Sequence, residues 1–200
     1  MSAGELGAYA SHYALWAWFV RSDYRQVLVL EDDVLVDWDY LAALTAHDLG
    51  AEGIDFLRLY ALSPGLWRPK GRLEGRQVLQ YLTYVYGAQA YVLTQAGARR
   101  LIEHARVVRR PVDDELDRSW AHGVPNLCVY PFPVIERYAP STIGDLEAGE
   151  PEAGISGLRV ARVLQSLGEK ARRAAFLARH GAALIAPLRP DPERRIKRTL

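Results

Sequence analysis

The 200-residue chain has a single cysteine, Cys128, and a single methionine. One thiol excludes an intramolecular disulfide and any cysteine-based zinc site. In "NLCVY" it reads as a small buried hydrophobe. That sparing use fits a reducing compartment, so a cytoplasmic location is expected. No run of about 18 apolar residues occurs, which predicts no membrane span. The start, "MSAGELGAYASH", lacks the basic stretch and apolar core of a secretory signal. No internal repeat is visible.

What the chain does have is apolar mass and a hidden charge asymmetry. Hydrophobic residues make up 50% of it, enough for one core of ordinary domain size. The formal net charge is only +1. Residues 156–200 nevertheless hold 11 Lys+Arg against 3 Asp+Glu, a net of +8, which leaves 14 against 21, or −7, for residues 1–155. An acidic body with a basic tail points to a tail that meets something anionic. The expected organisation is a domain over residues 1–150, then a linker and basic amphipathic tail over 151–200.

Along the chain, Leu6, Tyr9, Tyr13, Trp16 and Val20 recur at helical spacing, so residues 5–22 are expected to be a helix. Residues 26–30 form a short run rich in β-branched residues, the pattern of a strand buried on both faces and central in a sheet. Asp37 or Asp39 is placed to cap a helix that ends at Gly50. "IDFLRLY" reads as a strand. Residues 61–77, rich in Gly, Pro and Arg, read as a loop. Residues 78–94 read as strand, break at Gly87, strand. Residues 95–108 are helical by period. "VDDELDRSWAH" predicts a short helix, "NLCVY" a last strand, and "PFPVIERYAPSTIGD" an extended exit. Alternation of strands and helices predicts an α/β fold with a mainly parallel or mixed sheet. Residues 147–157 read as a linker and 158–180 as a basic helix.

The segment "VLVLEDDVLV" sets Glu31, Asp32 and Asp33 side by side at a strand end. Like charges about 4 Å apart repel by roughly 1 kcal/mol in water and about 4 kcal/mol at a protein surface. In open α/β sheets, ligands bind beyond the carboxyl ends of the strands. A shared hard cation, Mn²⁺ or Mg²⁺, would neutralise the cluster through oxygen ligands. On spacing alone, a solvated acidic turn with Asp33 capping a bend is equally open.

"GELGAYASHYALW" followed by "VLVLEDDVLV" resembles glycosyltransferase family 25, the group of lipooligosaccharide and procollagen galactosyltransferases. "YVYGAQAYVLTQAGARRLI", "RPVDDEL" and "VYPFPVIE…STIGD" resemble its later segments in the same order, so the resemblance spans residues 4 to about 145. It implies a GT-A-like nucleotide-diphospho-sugar transferase fold and metal-dependent hexosyl transfer. The implied donor is a nucleotide sugar, UDP-galactose foremost. The implied acceptor is a lipopolysaccharide or lipooligosaccharide saccharide. By the same analogy Glu31 and Asp33 are the metal ligands, with Mn²⁺ or Mg²⁺ held on the donor diphosphate. Asp32 and Ser11 are expected to bind the donor. Asp113 is the expected general base, and His12 a catalytic or phosphate-reaching residue. Helix capping is the competing role for Asp113 and Asp114. A structural role is equally open for His12, helix capping for Glu5, and core packing for Tyr84 and Tyr91.

Family members carry a strand before the Gly-Glu stretch, whereas here Met1 precedes Gly4 almost at once. The first strand is therefore expected to be absent, and Ala8 stands where the family has cysteine. The tail "GLRVARVLQSLGEKARRAAFLARH" is expected to lie on an anionic bilayer, peripheral on the cytoplasmic side. A helix packed on the domain is its alternative. Nucleic acid is a weaker expectation, because the tail lacks interleaved aromatics. Two other functions stay open on sequence: a non-catalytic relative that has lost donor binding, and a metal-dependent phosphohydrolase.

Overall fold

A computed structural model describes residues 1–137, together with 167, 168, 170–176 and 178. In chain order the elements are α1 (Ala3–Phe19), β1 (Gln26–Leu30), β2 (Val34–Val36), α2 (Trp38–Thr45), β3 (Phe56–Arg58), β4 (Trp67–Leu73), β5 (Arg76–Tyr81), β6 (Ala90–Thr94), α3 (Gln95–His104), α4 (Val112–Leu116), α5 (Ser119–His122), β7 (Leu127–Tyr130) and β8 (Val134–Glu136). Six strands form one mixed sheet in the order β1-β6-β3-β7-β5-β4. Only β3 and β7 are parallel neighbours among the described residues. Strands β2 and β8 pair separately as an antiparallel ribbon. This is the mixed α/β sheet expected of a GT-A-like fold.

The period-2 alternation of the strands sends their side chains into two cores. Val29, Phe56, Tyr91 and Leu93 face α1, α3 and α4 through Tyr9, Trp16, Ala98, Leu101 and Leu116. Leu57, Ala90, Val92, Leu127 and Val129 face α2 through Tyr40, Leu41 and Leu44. Glu5 does cap α1, in a reciprocal capping box with Ser2. Asp37 caps α2 through the Tyr40 amide.

Three expectations are corrected. Strand β1 is not central: among the described residues it pairs only with β6, and of its residues only Val29 is fully buried. A run of alternating apolar residues reads alike in an edge strand covered on both faces and in a central one. Residues 61–77 are not all loop, since β4 forms there and pairs with β5. Its Pro69 and Gly71 hid it, yet Pro is tolerated on an edge strand, and the register shifts between these two residues as a bulge. In the α1 stripe Tyr9 and Trp16 are buried and Tyr13 and Val20 pack against the core, but Leu6 is exposed, and the buried face also takes in His12 and Phe19. A histidine inside that face is accepted because its ring nitrogen has a buried partner, described below.

The hairpin β4–β5 is pinned at its turn. His47 bridges Glu52 and Glu74 at 2.9 and 2.6 Å. Burial lowers the His47 pKa, but the hydrogen bonds from Glu74 and Glu52 outweigh it and the net shift is upward. Arg76 lies 4.1 Å from the Tyr40 ring centroid and pairs with Asp37. In the tail, Arg173 sits 5.7 Å from the Trp120 ring centroid, so part of the basic helix contacts the domain. The linker at 147–157 and the rest of the tail lie outside the described residues.

A buried ion pair ties the sheet to α4, α5 and the loop before β6. Arg58 and Asp117 are 1% and 2% exposed and meet at 3.0 Å. Arg58 Nε also donates to Asn126 Oδ1 at 2.8 Å, and Asn126 donates to Asp117 Oδ1 at 2.6 Å. Asp117 Oδ2 accepts the backbone N–H groups of Val85 and Tyr86 at 2.9 and 2.8 Å. Arg58 Nη1 donates to the carbonyls of Tyr86 and Gly87. Removing one partner of such a pair strands the other charge in the core, which typically costs about 3–5 kcal/mol. Urea denaturation of Asp117→Ala is therefore expected to show a loss of about that size. A loss under about 1 kcal/mol would mean that water solvates Arg58 and that the pair does not hold the loop.

Candidate functional site

The acidic turn lies where β1 ends and β6 begins. Leu30 pairs with Ala90, and the Glu31 amide donates to the Gln89 carbonyl at 2.8 Å. The Arg137 amide donates to the Asp33 carbonyl at 2.7 Å, so the exit beyond β8 closes the other side of the turn. Tyr60, just past β3, donates to Glu136 at 3.1 Å. The strand ends β1, β3 and β8 thus converge on residues 31–33.

His12 reaches this turn from α1. Its Nε2 is 3.6 Å from Glu31 Oε1, while its Nδ1 is 2.8 Å from the Tyr91 hydroxyl. Trp16 Nε1 donates to the same hydroxyl at 2.8 Å. An indole N–H is only a donor, so the Tyr91 oxygen accepts from Trp16. A Tyr91 proton donated to His12 Nδ1 would put the imidazole proton on Nε2, the nitrogen that faces Glu31, and a proton on Nδ1 would make the Tyr91 oxygen accept twice. Burial pushes the Tyr91 phenol well above its ordinary range and keeps it a neutral donor. At 3.6 Å the His12–Glu31 contact is electrostatic rather than a good hydrogen bond. It biases Glu31 toward one side of the turn.

Two acceptor oxygens here are buried without a hydrogen-bond partner, Asp33 Oδ1 and Gln89 Oε1. Buried acceptors of that kind are costly and call for a donor or a cation. The Gln89 side chain folds over Gly87, whose φ is +87°, and Oε1 lies 2.5 Å from the point a Cβ at Gly87 would occupy. Glycine is required there both for the left-handed backbone and for that side chain. Hard cations take oxygen ligands, and Asp33 Oδ1 and Gln89 Oε1 are unmet oxygens of that kind.

Of the residues read from sequence, His12 and Glu31 are brought together, at 3.6 Å, whereas no group of three or more His, Cys, Asp or Glu side chains is gathered for a metal ion among the described residues. Asp32 is exposed on the turn. Ser11, next to His12 in sequence, points elsewhere: it is on the exposed side of α1 and its hydroxyl donates to the Gly7 carbonyl at 3.0 Å. Consecutive helical residues are about 100° apart, so one motif serves two faces. Asp113 sits in the first turn of α4, where Pro111 is the N-cap without a side-chain bond, and its Oδ1 accepts the next amide, that of Asp114, at 2.8 Å. Asp114 is partly buried, and burial raises its carboxyl pKa, with Arg110 opposing. The two aspartates share the start of α4, and no hydrogen bond joins either to residues 31–33 among the described contacts.

Sequence reasoning passed over Gln89, Arg58, Asp117 and Asn126. One signal was available: an arginine inside the apolar strand "FLRLY" demands a buried partner. Nothing in the sequence marks Asp117 as that partner.

The sequence model of glycosyltransferase family 25 (LPS biosynthesis protein) matches residues 1–116. A "Glycosyltransferase 25 family member" of Drosophila melanogaster is 47% identical over 136 residues, 62% of this chain and 22% of that protein. One from Anopheles gambiae is 27% identical over 180 residues, 77% of this chain and 30% of that protein. The human "Inactive glycosyltransferase 25 family member 3" is 33% identical over 121 residues, 58% of this chain and 20% of that protein. The chain thus spans under a third of the length of these relatives. With more than half of its residues matched by the family model, the chain belongs to glycosyltransferase family 25.

Proposed function

We propose that this chain transfers a sugar from a nucleotide-sugar donor to a saccharide acceptor, with galactose from UDP-galactose and a lipopolysaccharide or lipooligosaccharide acceptor as the pair favoured by the family resemblance. The observation that carries the reading is the buried, donorless Asp33 Oδ1 beside a Glu31 oriented by His12. Mn²⁺ or Mg²⁺ fits this donor set, since such ions are held by one or two carboxylates with substrate phosphates in the remaining positions. When bound, the ion neutralises charge on the leaving diphosphate. Asp33 and Glu31 would hold it, with His12 3.6 Å from Glu31. Exposed Asp32 is free to meet the donor sugar or ribose. Calorimetry with UDP-galactose and Mn²⁺ tests this reading: the wild-type chain is expected to bind, and Asp33→Ala to lose the metal-dependent part while keeping its fold. Equal binding by Asp33→Ala would remove Asp33 from the site.

The acceptor hydroxyl must lose a proton, and the carboxylates that open α4 are the bases in this reading. Asp113→Asn preserves size and removes basicity. Turnover should fall by about 10²–10⁴-fold with donor affinity nearly unchanged. Normal turnover in Asp113→Asn would leave that side chain with its bond to the Asp114 amide alone. A drop confined to Asp114→Asn would move the role to the neighbour, whose carboxyl burial already raises.

A second reading has its own support. Relatives of 33% identity carry names that call them inactive, including the human and Bos taurus proteins. A non-catalytic binding domain would show no Mn²⁺-dependent donor binding in the same calorimetry.

The tail extends the proposal to location. Its +8 net charge suits peripheral binding to an anionic cytoplasmic membrane face, near a lipid-linked acceptor. Co-sedimentation of the chain with anionic vesicles should exceed that with neutral ones. It should weaken as salt shortens the Debye length from about 10 Å at 0.1 M to about 3 Å at 1 M. Indifference to lipid charge would leave the tail as a helix packed on the domain, in line with the Arg173–Trp120 contact.

A further inference from the structure

Tyr86 is an aromatic residue in a conformation that favours glycine. Its φ is +55°, and it precedes Gly87, which is also left-handed at +87°. A bulky side chain at positive φ is strained, and such strain persists only where surrounding structure over-determines it. Here both peptide groups of Tyr86 are pinned by the buried pair. Its N–H donates to Asp117 at 2.8 Å and its carbonyl accepts from Arg58 at 3.2 Å. Core packing does not account for the choice of tyrosine, because the residue is 40% exposed.

The ring is presented rather than loose. Tyr84 stacks on it, with centroids 5.7 Å apart and planes at 24°. Trp120 braces Tyr84 edge-on at 5.4 Å and 76°. Carboxylates of α4 lie on this side: Asp117, which binds the Tyr86 amide, ends the helix whose first turn carries Asp113 and Asp114, and burial, with these three charges behind it, raises the phenol pKa. Three residues further on, Gln89 holds the Glu31 amide, so the ring stands at the same end of the sheet as the acidic turn.

A stacked, half-exposed aromatic ring beside a helix that opens on two carboxylates matches one ligand chemistry closely. A hexose ring has an apolar C–H face and an edge of hydroxyl donors. The face suits the π-surface, and the donors suit Asp113 and Asp114. We propose that Tyr86 is the platform on which a sugar ring of the acceptor saccharide stacks, at an acceptor subsite bounded by Tyr86, Asp113 and Asp114. This rests on the sugar-transfer reading above and gives it an acceptor side. The buried Arg58–Asp117 pair then has a functional task, holding Tyr86 in its strained pose. The nearby carboxylates are placed to receive the proton of the hydroxyl that reacts.

The test uses lactose, maltose and N-acetylglucosamine as probes of the whole chain, read by saturation-transfer NMR, with UDP-galactose and Mn²⁺ calorimetry alongside. Wild type and Tyr86→Phe should bind at least one probe, with saturation strongest on one C–H face of the ring. Tyr86→Gly should bind that probe about tenfold or more weakly. Its melting temperature should match or exceed that of wild type, because glycine relieves the backbone strain. Donor affinity should be unchanged in both variants. Equal probe binding by Tyr86→Gly overturns the proposal. So does the absence of saturation transfer to every probe in wild type, or a loss of donor affinity in step with the substitution, which would make the ring a nucleobase platform. If UDP-galactose does not bind wild type yet probe binding needs Tyr86, the transfer reading fails and the platform stands.

Discussion

The buried pair of Arg58 and Asp117 is the constraint on which the candidate site hangs. Two charges removed from water are costly, and they persist in a core only when every donor and acceptor is met. Here they are met by Asn126 and by four backbone groups of residues 85–87. That satisfaction is also a placement device. Arg58 comes from the middle of the sheet, Asp117 from the end of α4, and Asn126 from the approach to β7. Their only common geometry fixes where the chain re-enters the sheet at β6. Gln89, and through it the Glu31 amide, inherit that position.

A second chain of contacts runs the other way, from the helical layer to the acidic turn. Trp16 donates to the Tyr91 hydroxyl, that hydroxyl is hydrogen-bonded to His12 Nδ1, and His12 Nε2 lies 3.6 Å from Glu31. One carboxylate of the turn thereby has a polar neighbour. Asp33 has a buried oxygen with no partner. Two carboxylates two residues apart are made unequal by what lies behind them.

Much of this was legible in the sequence, for identifiable reasons. The strand 26–30, the break at Gly87 and the caps Glu5 and Asp37 follow from local rules that tertiary context did not override. Strand β4 was hidden because Pro69 and Gly71 obey edge-strand rules that resemble loop composition. The place of β1 at an edge was illegible, since both of its faces are covered in either case. His12 and Ser11 form one motif in sequence and two faces in space. Tyr91 looks like core and is core, yet its hydroxyl is the buried partner of both Trp16 and His12. Asp117 could not be found because its partner is 59 residues away and nothing local marks the pairing.

The two margins of the sheet are built differently. At β4 an added strand would meet Pro69, which has no amide proton, a bulge beside it, and the cations Arg68, Lys70 and Arg72. Those features discourage edge-to-edge self-association. At β1 the outer backbone carries Val27, Leu28 and Val29, and among the described residues no strand covers it. Among the described residues, β1 is the margin without these safeguards, and it is the one that ends at the carboxylates of residues 31–33.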